Sequence, residues 1–233
     1  MMQIIALGGG GFLMEPDNLA LDRYALAQTG KNRPRACYLS QASSESQRMI
    51  LAFYEAFTAL DAYPTWLSLF NPHTADIEGY LLEQDLIYVG GGNTKSMLAL
   101  WREWGLDHFL RTAAENGTVL AGISAGAICW FEYGTTDSIP GTLTGLPCLG
   151  YLAGSFSPHY DGESQRRPTM QRMIAAGELP DGYAMDDGAA AHFVHGQLTA
   201  VVSSRSRARG YRIEREGNRA VETPLDTRFL LAD

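Results

Sequence analysis

The chain has 233 residues, 45% of them hydrophobic and 19% charged; this suits one soluble globular domain over 1–233 that buries enough apolar surface to need no staples. The formal net charge is -8, from 18 Lys+Arg against 26 Asp+Glu, which speaks against nucleic acid or an anionic membrane as partner. Three cysteines, Cys37, Cys129 and Cys148, form no CxxC pair, so neither structural zinc nor a disulfide framework is expected. The apolar start MMQIIALGGGGFL has no basic flank and no small-residue cleavage site, and no apolar run is long enough to span a bilayer. A cytoplasmic protein is expected.

In chain order, a buried strand over 2–7 runs into Gly8–Gly11, and a helix follows over 19–29, capped by Asp17 or Asn18 and stopped by Gly30. A strand over 36–39, a helix over about 46–60 and an extended stretch over 65–70 come next. The strand 86–89 enters Gly90-Gly91-Gly92 and a helix over 94–102. A helix over 107–115 stops at Asn116-Gly117, and the strand 118–121 leads to a helix starting directly after Ser124. This alternation predicts an α/β fold, a mostly parallel sheet with helices on both faces, and ligands in such sheets sit at the carboxyl ends of the strands. Residues 140–150 read as a loop and 164–176 as a helix. Two antiparallel hairpins follow, 189–194 with 198–203 and 210–214 with 219–223, and they are expected to extend the same sheet.

The chemistry is carried by Gly122-Ile123-Ser124-Ala125-Gly126, which fits the nucleophile-elbow pattern G-x-S-x-G between a strand and a helix. Such a serine stands on a strained turn, the glycines remove side chains that would collide, and the helix N-terminus favours developing negative charge. A Gly-rich turn that only lets helix and sheet pack closely, or that binds phosphate, is the competing reading. A hydroxyl nucleophile needs a base. Of His73, His108, His159, His192 and His195, only His159 follows a short apolar stretch that places it at another strand end beside the elbow. Ala125 N–H supplies one oxyanion donor, and the turn Gly90-Gly91-Gly92-Asn93-Thr94 is the natural source of the second. No metal site and no cofactor are expected.

Taken together, the GGGNT turn, the Gly122–Ala127 elbow and Pro158-His159 resemble the peptidase E / cyanophycinase family of serine peptidases, from about residue 1 to the helix beginning at Ser164. The resemblance implies a class I glutamine amidotransferase-like fold with serine in place of cysteine. It also implies Ser124 as nucleophile, His159 as base, and Gly92 and Ala125 as oxyanion donors; Asn93, in the same turn, is taken as a further oxyanion or substrate-binding candidate. Two positions depart from the family. The triad aspartate expected about fifteen residues after the serine is Ile139 here, so Glu132 is taken as the triad acid, on the face of the elbow helix that carries Ser124; Asp137 and Asp161 compete. The arginine expected to hold a substrate carboxylate is Thr169, with Arg166, Arg167 and Arg172 nearby but out of place.

The expected function is hydrolysis of small peptides, dipeptidase-like, through an acyl-enzyme on Ser124, with a small peptide as partner and a homodimer left open. Two other readings compete. One is an esterase of the α/β-hydrolase type, which would favour His192 or His195 as the base. The other is a non-catalytic small-molecule binding protein on the same scaffold.

Overall fold

The computed structural model describes residues 1–231. Its first part alternates strand and helix: β1 (Gln3–Leu7), α1 (Gly11–Met14), α2 (Ala20–Ala27), β2 (Arg35–Leu39), α3 (Gln47–Ala59), β3 (Tyr63–Trp66), α4 (Ile77–Leu82), β4 (Leu86–Val89), α5 (Thr94–Trp104), α6 (Leu106–Glu115), β5 (Val119–Ile123) and α7 (Ala125–Ile128). The second part is richer in strands: β6 (Phe131–Thr136), β7 (Thr144–Pro147), β8 (Leu152–Ser157), α8 (Arg166–Ala176), β9 (Gly182–Met185), β10 (Ala189–Val194), β11 (Gln197–Ser203), β12 (Gly210–Glu216), β13 (Arg219–Pro224) and β14 (Arg228–Phe229).

The main sheet has eight strands in the order β14-β11-β10-β1-β5-β4-β2-β3. β1, β5, β4, β2 and β3 run parallel, and β10 turns the sheet antiparallel along β1. Both faces are covered, which is why β4 and β5 read as unbroken apolar runs. Phe12, Leu21, Phe53 and Phe57 pack on one face, from α1, α2 and α3. Met97, Trp101 and Leu110, from α5 and α6, pack on the other. Asp76 and Asn93 cap α4 and α5, accepting from the Gly79 and Ser96 N–H groups at 2.8 and 2.9 Å, a device worth about 1 kcal/mol each. Among the described residues, no helix is long and apolar enough to cross a membrane.

Two expectations fail here. The first hairpin, β10 with β11, does extend the main sheet. The second, β12 with β13, belongs to a separate six-stranded sheet, β13-β12-β9-β8-β6-β7. Its neighbour is β9, a four-residue strand too short to stand out by periodicity. The helix after Ser124 is also shorter than expected. It ends at Ile128, and residues 131–136 are strand. Phe131, Tyr133, Thr135 and Thr136 favour a pleated surface. The carbonyls of Cys129 and Phe131 accept from Leu149 and Gly150 N–H, which starts the pairing with β7 and β8. The stretch read as a 140–150 loop accordingly contains β7.

Candidate active site

Ser124 joins β5 to α7 with φ 56° and ψ -116°. A non-glycine residue there costs on the order of 1–3 kcal/mol and persists only where its surroundings over-determine it. They do. Ser124 N–H donates to the Leu7 carbonyl at 3.2 Å, and its own carbonyl accepts from Ala127 and Ile128 N–H at 2.9 Å each. The flanking glycines are required by close approach. A Cβ on Gly122 would stand 2.2 Å from the Gly126 carbonyl oxygen, and one on Gly126 would stand 2.2 Å from that of Val89.

His159 lies two residues beyond β8, also at positive φ, 51°. Its N–H donates to the Gly8 carbonyl at 3.1 Å, so serine and histidine hang from consecutive carbonyls at the carboxyl end of β1. His159 Nδ1 is 2.7 Å from Asp187 Oδ1, and both side chains are 14% exposed. Asp187 comes just after β9. Its N–H is accepted by Asp161 Oδ1 at 2.8 Å, and Gly188 N–H donates to Gly9 O at 3.1 Å. Space for its carboxylate is made by two glycines: a Cβ on Gly9 would lie 2.0 Å from Oδ1, and one on Gly162 would lie 2.3 Å from Oδ2. The glycine run after β1 therefore lets the Asp187 segment close on the strand end. The adjacent Asp186 is turned away: its Oδ2 accepts from Arg209 N–H at 2.9 Å, and burial pushes its carboxyl up to about 6.

The glycine turn after β4 is anchored at both ends, by Gly90 N–H to Leu39 O at 2.9 Å and Asn93 N–H to Ala42 O at 2.8 Å. Gly91 is the residue against the serine: a Cβ there would lie 3.3 Å from Ser124 Cβ and 3.8 Å from Oγ. Gly92, at φ 138°, packs on Ala42, whose carbonyl oxygen a Cβ would meet at 2.2 Å. Asn93 is occupied by structure. Its Oδ1 caps α5, and its Nδ2 donates to the Ser138 carbonyl at 3.0 Å. Ala125 is the first residue of α7, so its N–H has no partner within the helix.

The geometry rearranges the other predicted residues. Glu132 is not beside His159. It sits on the solvent side of β6, where its Oε2 accepts from Gly154 N–H at 2.8 Å, because the elbow helix ends before reaching it. Asp137 is largely exposed and 3.7 Å from the guanidinium of Arg166. Asp161 holds the backbone of Asp187 rather than the imidazole. Ile139 is exposed. His192 lies opposite Ile5 in mid-strand, its ring nitrogens against Tyr24 Oη at 2.9 Å and Gln3 Oε1 at 3.2 Å, and burial lowers its pKa. His195 donates its N–H to Met2 O, at the other end of β1 from Ser124. His73 packs edge-on against Tyr80, and His108 is 85% exposed. Sequence reasoning missed Asp187. The signal was Asp186-Asp187-Gly188 between two apolar stretches, acids at a strand end with a glycine after them.

The model of peptidase family S51 matches residues 4–201. A Bacillus subtilis (strain 168) protein named Uncharacterized peptidase YgaJ is 56% identical over 230 residues, covering 99% of this chain and 100% of that protein. Peptidase E of Pasteurella multocida (strain Pm70) is 27% identical over 147 residues, 58% of this chain and 62% of the relative. Among solved structures, a peptidase from an acI-B1 Actinobacterium superposes with TM-score 0.69 at 14% identity, over 100% of this chain and 97% of that one. A putative peptidase E protein from Listeria monocytogenes EGD-e gives 0.62 at 18%, over 97% and 100%. The last two show the shared fold, and the family match over most of the chain shows its membership: the chain belongs to peptidase family S51.

Proposed function

We propose that the chain is a serine peptidase that hydrolyses small peptides through an acyl-enzyme, with Ser124, His159 and Asp187 as its triad. The observation that carries this reading is the strained serine hung on Leu7 O while His159 is hung on Gly8 O and held at Nδ1 by Asp187 at 2.7 Å. With Nδ1–H given to the carboxylate, the lone pair of Nε2 is free to take the proton of Ser124 as Oγ attacks the scissile carbonyl. Ala125 N–H and an N–H of the Gly91-Gly92 turn receive the oxyanion. His159 returns the proton to the leaving amine, and water, activated by the same imidazole, releases the acyl group. Asp187 thus replaces Glu132 as the acid, since no geometry brings Glu132 to the imidazole.

The preference for short, dipeptidase-like substrates is taken from the resemblance carried by the GGGNT turn, the elbow and Pro158-His159. A strict demand for an aspartyl residue is not supported. Thr169 stands where the arginine is expected, and the three neighbouring arginines are engaged elsewhere. Arg166, 2% exposed, binds Glu163 and the Thr135 carbonyl. Arg167 lies over the rings of Tyr160 and Tyr211, and Arg172 pairs with Glu178. The test is fluorophosphonate labelling followed by a dipeptide panel. Labelling lost in Ser124→Ala, with cleavage spread over neutral dipeptides, is the expected result. No labelling of folded protein would favour the binding-protein reading, and exclusive Asp-X cleavage would overturn the specificity argument.

A further inference from the structure

Beyond the triad, non-glycine residues at positive φ recur at Asp61, at His195 and, in succession, at Ser44 and Glu45. Ser44 and Glu45 are consecutive non-glycine residues at positive φ, 55° and 56°. They end a short 3-10 turn over Gln41–Ser43 that follows β2. Ser44 is exposed, but the Glu45 side chain is folded inward and buried. Its two oxygens take three neutral donors: Leu69 N–H at 2.7 Å and Gln41 Nε2 at 3.2 Å on Oε1, and Ser68 Oγ at 2.6 Å on Oε2. Gln41 in turn donates to the Leu67 carbonyl at 2.7 Å and accepts from Trp101 Nε1 at 3.3 Å. A buried carboxylate is tolerated only when its lone pairs are filled in this way. Two strained residues in succession require something to hold them.

What the network holds is the position of Ala42. That residue lies inside the 3-10 turn, between Gln41 and the two strained residues. Its carbonyl accepts Asn93 N–H at 2.8 Å and is the surface on which Gly92 rests. Gly91, one residue back, faces Ser124. The chain of contact therefore runs from Glu45 through the 41–45 turn to Ala42 and then to the glycine turn, without touching His159 or Asp187.

We infer that Glu45 is a positioning residue for the oxyanion turn, setting the height of Gly91-Gly92 over Ser124 by fixing the Ala42 carbonyl. The inference rests on the serine-peptidase reading for its catalytic consequence but not for its geometry. Charge is not what the site needs. In Glu45→Gln the retained oxygen keeps Leu69 and Gln41, and the new NH2 can donate to Ser68 Oγ, whose hydroxyl rotates to accept. An apolar replacement leaves three buried donors unmatched.

The experiment measures the rate constant of fluorophosphonate labelling, its pH dependence, and hydrogen exchange of a peptide covering 90–93. Glu45→Leu is expected to label fully but on the order of 100-fold more slowly, as when an oxyanion donor is displaced. Its pH midpoint should be unchanged, because His159 and Asp187 are held elsewhere, and exchange at 90–93 should be faster while exchange near 159 and 187 is not. Glu45→Gln is expected to restore the rate to within a few-fold. Should Glu45→Leu not fold, Ser68→Ala removes one donor and is expected to give a smaller slowing with the same unchanged midpoint. A folded Glu45→Leu, or Ser68→Ala, with wild-type rate and wild-type exchange at 90–93 overturns the inference. If wild-type protein does not label at all, the peptidase reading fails, and exchange at 90–93 still decides whether Glu45 holds the turn.

Discussion

The elbow at Ser124 and the corner at His159–Asp187 both hang by backbone N–H groups from the carboxyl end of β1, yet they are completed by different means. The elbow is made from five contiguous residues, 122–126, and is fixed by backbone: one strained serine, two glycines against carbonyls, and hydrogen bonds to Leu7 and within α7. The corner joins residues 28 apart in sequence and depends on side-chain clearance, with Gly9 and Gly162 leaving room for one carboxylate. A site built by backbone fails all at once when its reactive atom is removed. A site built by packing fails by degrees as its parts are displaced.

The largest expected effects break the site outright. Ser124→Ala removes one oxygen and is expected to cost roughly four to six orders of magnitude in turnover with the fold unchanged. His159→Ala should be nearly as damaging, while His192→Ala should be close to wild type, since His192 is spent on Tyr24 and Gln3. Peptide-hydrolysis rates together with circular dichroism check all three. Retained turnover in Ser124→Ala would remove the basis of the comparison.

The next effect separates the acids. On the proposed triad, Asp187→Asn keeps shape but no longer fixes the imidazole tautomer, and a loss on the order of 10,000-fold in kcat is expected. Glu132→Gln should be near normal, because the exposed Glu132 carboxylate accepts from Gly154 N–H and not from the imidazole. Asp161→Asn should fall between, since an amide oxygen can still accept Asp187 N–H. Collapse in Glu132→Gln with Asp187→Asn unaffected would require a different arrangement of the corner.

A graded test of packing follows. In Gly162→Ala the new methyl would lie 2.3 Å from Asp187 Oδ2, so the carboxylate must move off His159 by a fraction of an ångström. A loss of about 10- to 100-fold in kcat is expected, with KM little changed. Gly30→Ala, where a Cβ would meet nothing within 4 Å beyond its chain neighbours but would sit at φ 67°, serves as the control for glycine loss, with its backbone strain, at a distant turn. Full activity in Gly162→Ala would show that the corner is looser than its clearances imply.

The same contrast decides what could be read from the sequence. The elbow is local, so G-x-S-x-G between an apolar strand and a helix exposes Ser124 directly. The parallel strands around it, buried on both faces, announce themselves as apolar runs, and the hairpins by their turns. His159 is intermediate: its strand end is legible, its partner is not. Asp187 reaches His159 only after β8 and β9 pair side by side in a second sheet, and nothing in the spacing of Asp186-Asp187-Gly188 specifies that pairing. Glu132 shows the reverse error. Helical spacing from Ser124 places it on the right face, but Phe131, Tyr133 and Thr135 prefer the pleated strand, and the helix stops three residues before Phe131.

The smallest effect on rate concerns a buried acid beside the glycine run after β1. Asp22 on α2 is fully buried, its carboxylate directed with the Tyr88 hydroxyl at Gly11, where a Cβ would meet them at 3.0 and 3.2 Å. Burial pushes its carboxyl up to about 7. An unfolded aspartate ionises near pH 4. Between roughly pH 4 and 7 the unfolded chain has therefore released a proton that the folded chain keeps. Folding stability from this group falls as pH rises through that window and levels off above it, where the folded chain must carry a buried charge. Asp22→Asn removes the ionisation. It is expected to raise the melting temperature at pH 8, to change it little at pH 4, and to leave turnover at pH 8 within a few-fold, because Asp22 touches neither the serine nor the imidazole. Melting curves of both proteins across pH 4–8 check the sign. A variant less stable than wild type by the same margin at every pH would mean that Asp22 acts through a contact that the amide breaks and not through its proton.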